Sequence, residues 1–281
     1  MKKLLLLTLV LVFGCGQPVS PQASSPKRIV SLAPAITEIL FAIGAGDKVV
    51  GVTNYCNYPD KAKELIKVGD FALTDFEKII ALTPDLVIAT RDGNPREVVE
   101  KIQSFGIRTL VINSRSFDEA VDSILTIGKA VNIEERAKKL SEDMRHQWDE
   151  IGEKYITKPR PAVLLLVGVN PLVAAGEGSL GDNLICQAGG RNVFADSGTT
   201  YVQTSYEAII SLGPAIILQS AMGSETNEQA RERWEQWTAI PAVKNQCIHV
   251  LNPDLINRPG PRSVEALKLV ESAIHGKTSD K

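Results

Sequence analysis

Apolar residues are arranged along this chain in two rhythms. The first is a short, nearly unbroken run of β-branched and aliphatic residues: IVS after Arg28, VVGV after Lys48, LVIA after Asp85, TLVI after Arg108, then AVLLLVGV from Ala162, AIILQ from Ala215 and CIHVL from Cys247. Runs this short and this continuous suit strands buried on both faces. The second rhythm places apolar residues every third or fourth position: PAITEILFAIGAG, DFEKIIALTP, NPREVVEKIQSFG and SFDEAVDSILTIGKAV, then GDNLICQAGG, YEAIISLGP, RERWEQWTAI and PRSVEALKLVESAI. That spacing predicts helices. Their limits are marked by Gly44 and Gly46, by Pro84, by Gly106, and by Ser116 with Glu119 at capping-box spacing. Strands alternating with helices predict mostly parallel sheets covered on both faces.

The alternation breaks once. Ile133, Ala137, Leu140, Met144, Trp148, Ile151 and Tyr155 fall three or four apart with charged residues between them. They predict one helix of roughly 33 Å at 1.5 Å per residue. Beyond TKPRP the α/β pattern restarts. The chain therefore divides into an α/β lobe over 27–131, a linking helix over 132–158 and a second α/β lobe over 159–276. A segment is also written twice: TDFEKIIALTPDLVIAT from Thr74 and TSYEAIISLGPAIILQS from Thr204. Each copy is a short helix feeding a strand, at the same place in its lobe. The expected fold is α/β, with two pseudo-equivalent Rossmann-like lobes, and a cleft between such lobes is a favoured place for a ligand.

The N-terminus stands apart from the fold. Residues 1–14 carry Lys2, Lys3 and an apolar run too short to span a bilayer, and they read as an export signal. Gly14 followed by Cys15 resembles a lipobox, in which Cys15 is diacylated and becomes the mature N-terminus. Phe13 is bulkier than that motif favours, and the alternative is an ordinary signal peptide cut after Ala23. Residues 15–26, rich in Pro, Ser and Gln, then form a lipidated tether, and 277–281 a disordered tail. Loss of the two lysines takes the formal charge from −2 to −4, which leaves no basic field for nucleic acid. Export implies an oxidising compartment. Of Cys56, Cys186 and Cys247, the two in the second half, Cys186 and Cys247, are the expected disulfide pair.

Catalytic chemistry finds little support. Gly176, Gly178 and Gly181 make a G-x-G-x-x-G, but NPLVAA separates them from the preceding predicted strand, so the motif reads as a flexible loop on the cleft rim. His146, His249 and His275 are scattered without metal-ligand spacing, and no nucleophile–base set is apparent. Trp234 and Trp237 read as packing within the second lobe.

RIVSLAPAITEILFAIGAGDKVVGVTNYCNYP, KVGDF, FEKIIALTPDLVIA, GGRNVFADSG and NRPGPR resemble the periplasmic solute-binding proteins of cobalamin, haem and ferric-siderophore importers, with the cobalamin binders nearest. The resemblance runs from about Lys27 to Ile274. It implies the class III architecture of two lobes on one long helix, a monomer without cofactor or catalytic activity, and delivery of a bound ligand to a dimeric ABC permease with ATPase subunits. By resemblance, Glu77 and Glu207 dock onto permease arginines, and Tyr55, Phe71 and Tyr201 line the cleft, with Phe71 and Tyr201 in the loops before the repeated helices. Thr90 stands where the cobalamin binders carry Trp. Arg91 and Arg258 join the expected ligand contacts. An anionic siderophore would call for a basic cleft built from Arg91, Arg115, Arg258 and Arg262, whereas a neutral corrinoid calls for aromatics and few free charges. A secreted dinucleotide-dependent enzyme rests only on the glycine motif.

Overall fold

The computed structural model describes residues 25–70, 73–220 and 226–276. The signal segment, Cys15, most of the tether, Phe71 and the tail at 277–281 lie outside the described residues.

The first lobe runs β1 (Ile29–Ser31), α1 (Pro34–Ala42), β2 (Val49–Val52), β3 (Ile66–Lys67), α2 (Phe76–Ala81), β4 (Leu86–Thr90), α3 (Arg96–Ser104), β5 (Thr109–Ile112) and α4 (Phe117–Ala130). Its sheet has the order β3-β2-β1-β4-β5, and every pairing is parallel. The central strands are apolar throughout because both faces are covered: Ile29, Val30, Leu86, Val87 and Ile88 are fully buried.

Next comes α5 (Glu134–Glu153), about 30 Å long at 1.5 Å per residue. The second lobe follows with β6 (Ala162–Val169), β7 (Leu172–Ala175), α6 (Leu180–Gln187), β8 (Arg191–Asn192), β9 (Tyr201–Gln203), α7 (Tyr206–Leu212), β10 (Ile216–Gln219), α8 (Asn227–Trp234), α9 (Pro241–Lys244), β11 (Ile248–Val250), α10 (Pro253–Ile256) and α11 (Ser263–His275). Its sheet order is β11-β10-β6-β7-β9, with β8 also on β6.

The repeat is structural as well as textual. Helix α2 feeds β4, and α7 feeds β10, each strand lying beside the first strand of its lobe. Both helices end on a left-handed residue just before proline: Thr83 at φ 43° and Gly213 at φ 56°. The glycine adopts that conformation without strain, whereas a β-branched threonine does so at a cost. The lobes diverge beside their first strands. Residues Ala162 and Val163 of β6 pair with β8 in parallel, but Leu166–Val169 pair with β7 antiparallel, and β7 pairs antiparallel with β9.

That divergence corrects two expectations. Tyr201 opens the edge strand β9 rather than sitting in a loop. NPLVAA is itself β7 with the turn that leads into it, so the glycine motif does follow a strand and does open a helix. The strand is antiparallel to its neighbours, however, so no βαβ crossover is formed. The loop is pinned, not loose. Gly176 N donates to Thr200 O at 2.9 Å, Gly178 N to Asp182 Oδ2 at 3.1 Å, and Asp182 N to Ser179 Oγ at 3.1 Å, so a carbonyl, a carboxylate and a hydroxyl of the protein itself take donors that a phosphate would need.

Three further details differ from expectation. At α4 the Ser116 hydroxyl accepts from Glu119 N at 3.2 Å, but the Glu119 carboxylate accepts from Arg115 N at 2.7 Å, so the box closes one residue early. A complete capping box forms instead between Thr226 and Gln229 at α8, and that helix ends at Trp234, three residues short of Trp237. The expected Cys186–Cys247 disulfide is absent, and both thiols are free. The Cys186 thiol faces Asp182 on its own helix at 3.8 Å, while Cys247 faces Asn245 O at 3.5 Å beside the edge strand β11.

The lobes share one core. Ala137, Ser141, Met144, Trp148 and Ile151 form the buried stripe of α5. All but Ser141 belong to a single apolar cluster that runs from Ile29 and Ile88 through Trp148 to Val163 and Leu218. Phe117 stacks on Trp148 with centroids 3.8 Å apart, a pairing worth about 1 kcal/mol beyond burial. The outer face of each sheet has its own smaller cluster. Polar bonds cross between lobes as well: Leu180 N donates to Arg115 O at 2.6 Å, Phe117 N to Asn183 Oδ1 at 3.0 Å, and Ser114 Oγ to Pro259 O at 3.0 Å.

The strongest crossing is ionic. Glu38, on α1, is 2% exposed. Its Oε2 accepts from Arg262 Nε at 2.8 Å, and its Oε1 accepts from Arg262 Nη2 at 2.6 Å and Arg258 Nη1 at 3.2 Å. Burial works to lower the Arg262 pKa, but the Glu38 hydrogen bonds and charge outweigh it, and the guanidinium titrates above its usual value. Glu38→Ala removes the carboxylate partner of the largely buried Arg262 and one of the two that Arg258 has, and should cost about 3–5 kcal/mol in chemical denaturation. A loss below about 1 kcal/mol would show that the network carries no structural load.

Candidate functional site

An open cleft of about 480 Å³ lies between the lobes, at the carboxyl ends of the parallel strands, where open α/β sheets place their ligands. The first lobe contributes the entry to α1 (Ala33–Ile36), Tyr55, Thr90 and Asp92 after β4, and Ile112, Ser114 and Arg115 after β5. The second contributes Tyr201 and the segment around α10, from Pro253 to Pro259. The α1 entry, Ile112 and the two flanking prolines make much of the surface apolar, and two tyrosines stand at its rim. Tyr55 is 45% exposed and Tyr201 57% exposed, on opposite lobes. The Tyr201 hydroxyl titrates above the usual phenol range because it is poorly hydrated and faces the Asp92 carboxylate, with Arg115 opposing in part.

Of the residues expected at the ligand, Tyr55, Tyr201 and Arg258 line this cleft, as does Thr90, while Phe71 lies outside the described residues. Arg91 does not. It is exposed and outside the lining, at the start of the turn that follows β4, whereas Thr90, Asp92 and Gly93 line the cleft. Arg258 lines the wall but is already engaged. Besides Glu38 it forms an ion pair with Asp254, donates to Asn57 Oδ1 at 2.8 Å and to Tyr55 O at 3.2 Å. Asn57 Nδ2 in turn donates to Asp254 Oδ2 at 2.7 Å. Arg258 therefore braces the loop that carries Tyr55 instead of presenting a free cation.

Arg115 is occupied too. Its Nε and Nη2 both donate to the Asp92 carboxylate in a bidentate pair. Those hydrogen bonds hold Asp92 well below the usual carboxylate range and push Arg115 higher still. Asp92, Asp254, Asn57 and Glu38 were not expected at the site. Glu38 left one signal in the sequence, a lone acid in the otherwise apolar stretch PAITEILFAI. Asp92 and Asn57 sit outside regular elements and Asp254 in the four-residue α10, segments too short for periodicity to mark them.

The repeated glutamates face elsewhere. Glu77 and Glu207 are both exposed, both in the first turn of their helices, and both outside the cleft lining. The helix starts are equivalent: Asp75 accepts from Lys78 N at 3.0 Å, and Ser205 Oγ from Ala208 N at 3.3 Å. A hydrogen bond with Ser205, with help from the helix's own N–H, lowers the Glu207 pKa, so the group is firmly anionic near neutrality.

The sequence and the fold were compared with known proteins. The profile of the periplasmic binding protein family matches residues 29–255. A Bacillus subtilis protein named as an uncharacterized ABC transporter substrate-binding lipoprotein is 32% identical over 306 aligned positions, spanning 98% of this chain and 96% of its own. The structure of the periplasmic vitamin B12 binding protein of Vibrio cholerae superposes with a TM-score of 0.77 at 31% identity, covering 89% of this chain and 97% of that one. The periplasmic heme-binding protein of Roseiflexus sp. RS-1 gives 0.78 at 29% identity, covering 89% and 98%. With two lobes on one long helix, a family profile matched over residues 29–255 and a full-length relative at 32% identity, this chain belongs to the periplasmic binding protein family, as the non-enzymatic substrate-binding protein of an ABC transporter.

Proposed function

We propose that the cleft captures a corrinoid and that the protein delivers it to its permease from a lipid anchor on the membrane. The observation that carries the reading is the character of the cleft: aromatic rings on both lobes, an apolar floor, and arginines each already matched to a carboxylate. A flat macrocycle with neutral amide side chains suits such a surface. Its faces meet the rings, and its amides find donors and acceptors at Ser114, Asn257 and the ion pairs. An anionic siderophore would instead need cations free to pair with it. The likeness to a vitamin B12 binding protein supports the same choice.

Haem is the second reading, favoured by one feature: two tyrosines on the cleft lining, a residue type able to ligate ferric haem. Purified protein mixed with cyanocobalamin or with haemin and then desalted separates the two by absorption spectrum. A retained corrinoid band at one equivalent supports the proposal. A retained Soret band without corrinoid overturns it. Tyr55→Ala, Tyr201→Ala and Phe71→Ala should each weaken corrinoid binding roughly tenfold or more in calorimetry, through lost ring contact. Unchanged affinity in all three would remove the aromatic grip from the account.

Glu77 and Glu207 form the docking surface in this reading. Two anionic knobs at equivalent points of a repeated motif match a partner that presents the same basic pocket twice, as a two-fold permease does. Glu77→Ala and Glu207→Ala should leave ligand affinity intact and weaken permease capture roughly 30-fold each if the pair is buried on docking. Substitution to Lys at both positions should abolish capture. Mutants that lose ligand but still dock would reverse the assignment.

Cys15 is the proposed site of diacylation, in keeping with the lipoprotein name of the Bacillus relative. Cys15→Ala should move the protein from the membrane to the soluble fraction, since two acyl chains hold where one does not. Unchanged fractionation would refute lipidation.

A further inference from the structure

The Asp92–Arg115 pair has no structural task comparable to that of Glu38. Glu38 is buried and ties the lobes together, whereas Asp92 and Arg115 are both on the first lobe, both on the cleft wall, and each over 40% exposed at the side chain. Surface pairs of this kind add little stability. Their placement is nonetheless firm. The Arg115 backbone is held on both sides, its N–H by Glu119 Oε2 at 2.7 Å and its carbonyl by Leu180 N of the second lobe at 2.6 Å. Asp92 follows β4 directly, and its N–H donates to Thr90 Oγ1 at 3.3 Å. A guanidinium fork anchored at the lobe junction is thus presented to the cleft with both of its cleft-side donors filled by a carboxylate from the same wall.

We propose that Asp92 sets the charge class of the ligand: it occupies the Arg115 fork, so the cleft accepts neutral, amide-bearing ligands and discriminates against those that bring a carboxylate of their own. The inference rests on the reading of this cleft as the ligand site. A ligand carboxylate must either displace Asp92 from Arg115, gaining one charge-assisted bidentate pair by breaking another, or lie near two anions with no unmatched cation in the described lining to meet it. A neutral amide needs no such exchange, because the carboxylate oxygens still accept from its N–H₂ and the remaining guanidinium N–H still donates to its carbonyl. Arg258, the other cationic residue of the described lining, is matched in the same way by Asp254 and Glu38, so a displaced ligand carboxylate finds no second site. The depressed Asp92 pKa agrees, since the group stays charged through the physiological range.

The test uses ligands that differ in charge alone: cyanocobalamin against its monocarboxylic acid derivatives, in which one peripheral amide is hydrolysed, and in parallel haemin against its dimethyl ester. Each is titrated into the whole protein, into D92N and into D92N/R115Q, and the quantity read is the affinity ratio of neutral to acidic ligand. Wild type should favour the neutral member for at least one acid isomer. D92N should lower that ratio at least about fivefold, since freeing the fork gives the ligand carboxylate a cation at roughly 1 kcal/mol or more. D92N/R115Q should recover a preference for the neutral ligand, because the freed cation is gone. Added salt should shrink the D92N effect. An equal ratio in wild type and D92N, with each variant folded by circular dichroism, overturns the assignment to Asp92 while leaving corrinoid capture standing. If only the haem pair binds, corrinoid capture fails and the haem ratios decide the role of Asp92 in the same way. Binding of none of the four ligands overturns both.

Discussion

A carboxylate with almost no access to water, Glu38, holds two arginines from the other lobe, and the rest of the molecule is arranged around that contact. Burying a charge is tolerable only when its partners are fixed and its hydrogen bonds are filled. Here Arg262 supplies a two-point grip, and Arg258 a third bond, from the NRPGPR segment. The same Arg258 reaches Asp254, Asn57 and the carbonyl of Tyr55. One ionic cluster therefore fixes the lobe spacing, the shape of the cleft wall and the position of a rim aromatic.

That arrangement makes the two lobes one mechanical unit. The apolar cluster is continuous through α5, with Trp148 stacked on Phe117 at its centre, so opening the lobes would break packed contacts as well as a buried ion network. A helix embedded in the core is a stiff connector compared with a pair of crossing strands. Recognition in such a protein depends on a preformed cleft, and the energetic cost of ordering is met when the chain folds, before any ligand arrives.

The charges in the cleft are best understood together. Its arginines would suggest an anion site by composition alone, yet Asp92, Asp254 and Glu38 neutralise them in place. What is left for a ligand is aromatic surface, an apolar floor and the outer edges of satisfied ion pairs. Glu77 and Glu207 carry anionic charge on the outer surface, where equivalent helix starts hold them in matching positions. On the proposed assignment of Glu77 and Glu207 to docking, capture and delivery fall on two faces that do not share residues.

Local pattern carried most of the architecture. Unbroken apolar runs such as LVIA and IILQ specify buried parallel strands, the stripe from Ala137 to Ile151 specifies the long helix, and the duplicated segment makes the lobes equivalent. These features were legible because each depends on residues within one or two turns of each other. The strands β7 and β9 were not, because four- and three-residue segments become strands only when a distant partner supplies the hydrogen bonds; Tyr201 was accordingly assigned to a loop. The cysteine pairing was misread for the same reason, since the separation of Cys186 from Cys247 is set by the packing of the whole lobe. Charge is the extreme case. The sequence shows Arg258 as a cation, and only the fold brings Glu38, 220 positions away, into hydrogen-bonding range and matches that cation with a carboxylate. Propensity and periodicity act through neighbours along the chain, whereas the free charge of a cleft depends on which side chains meet in space.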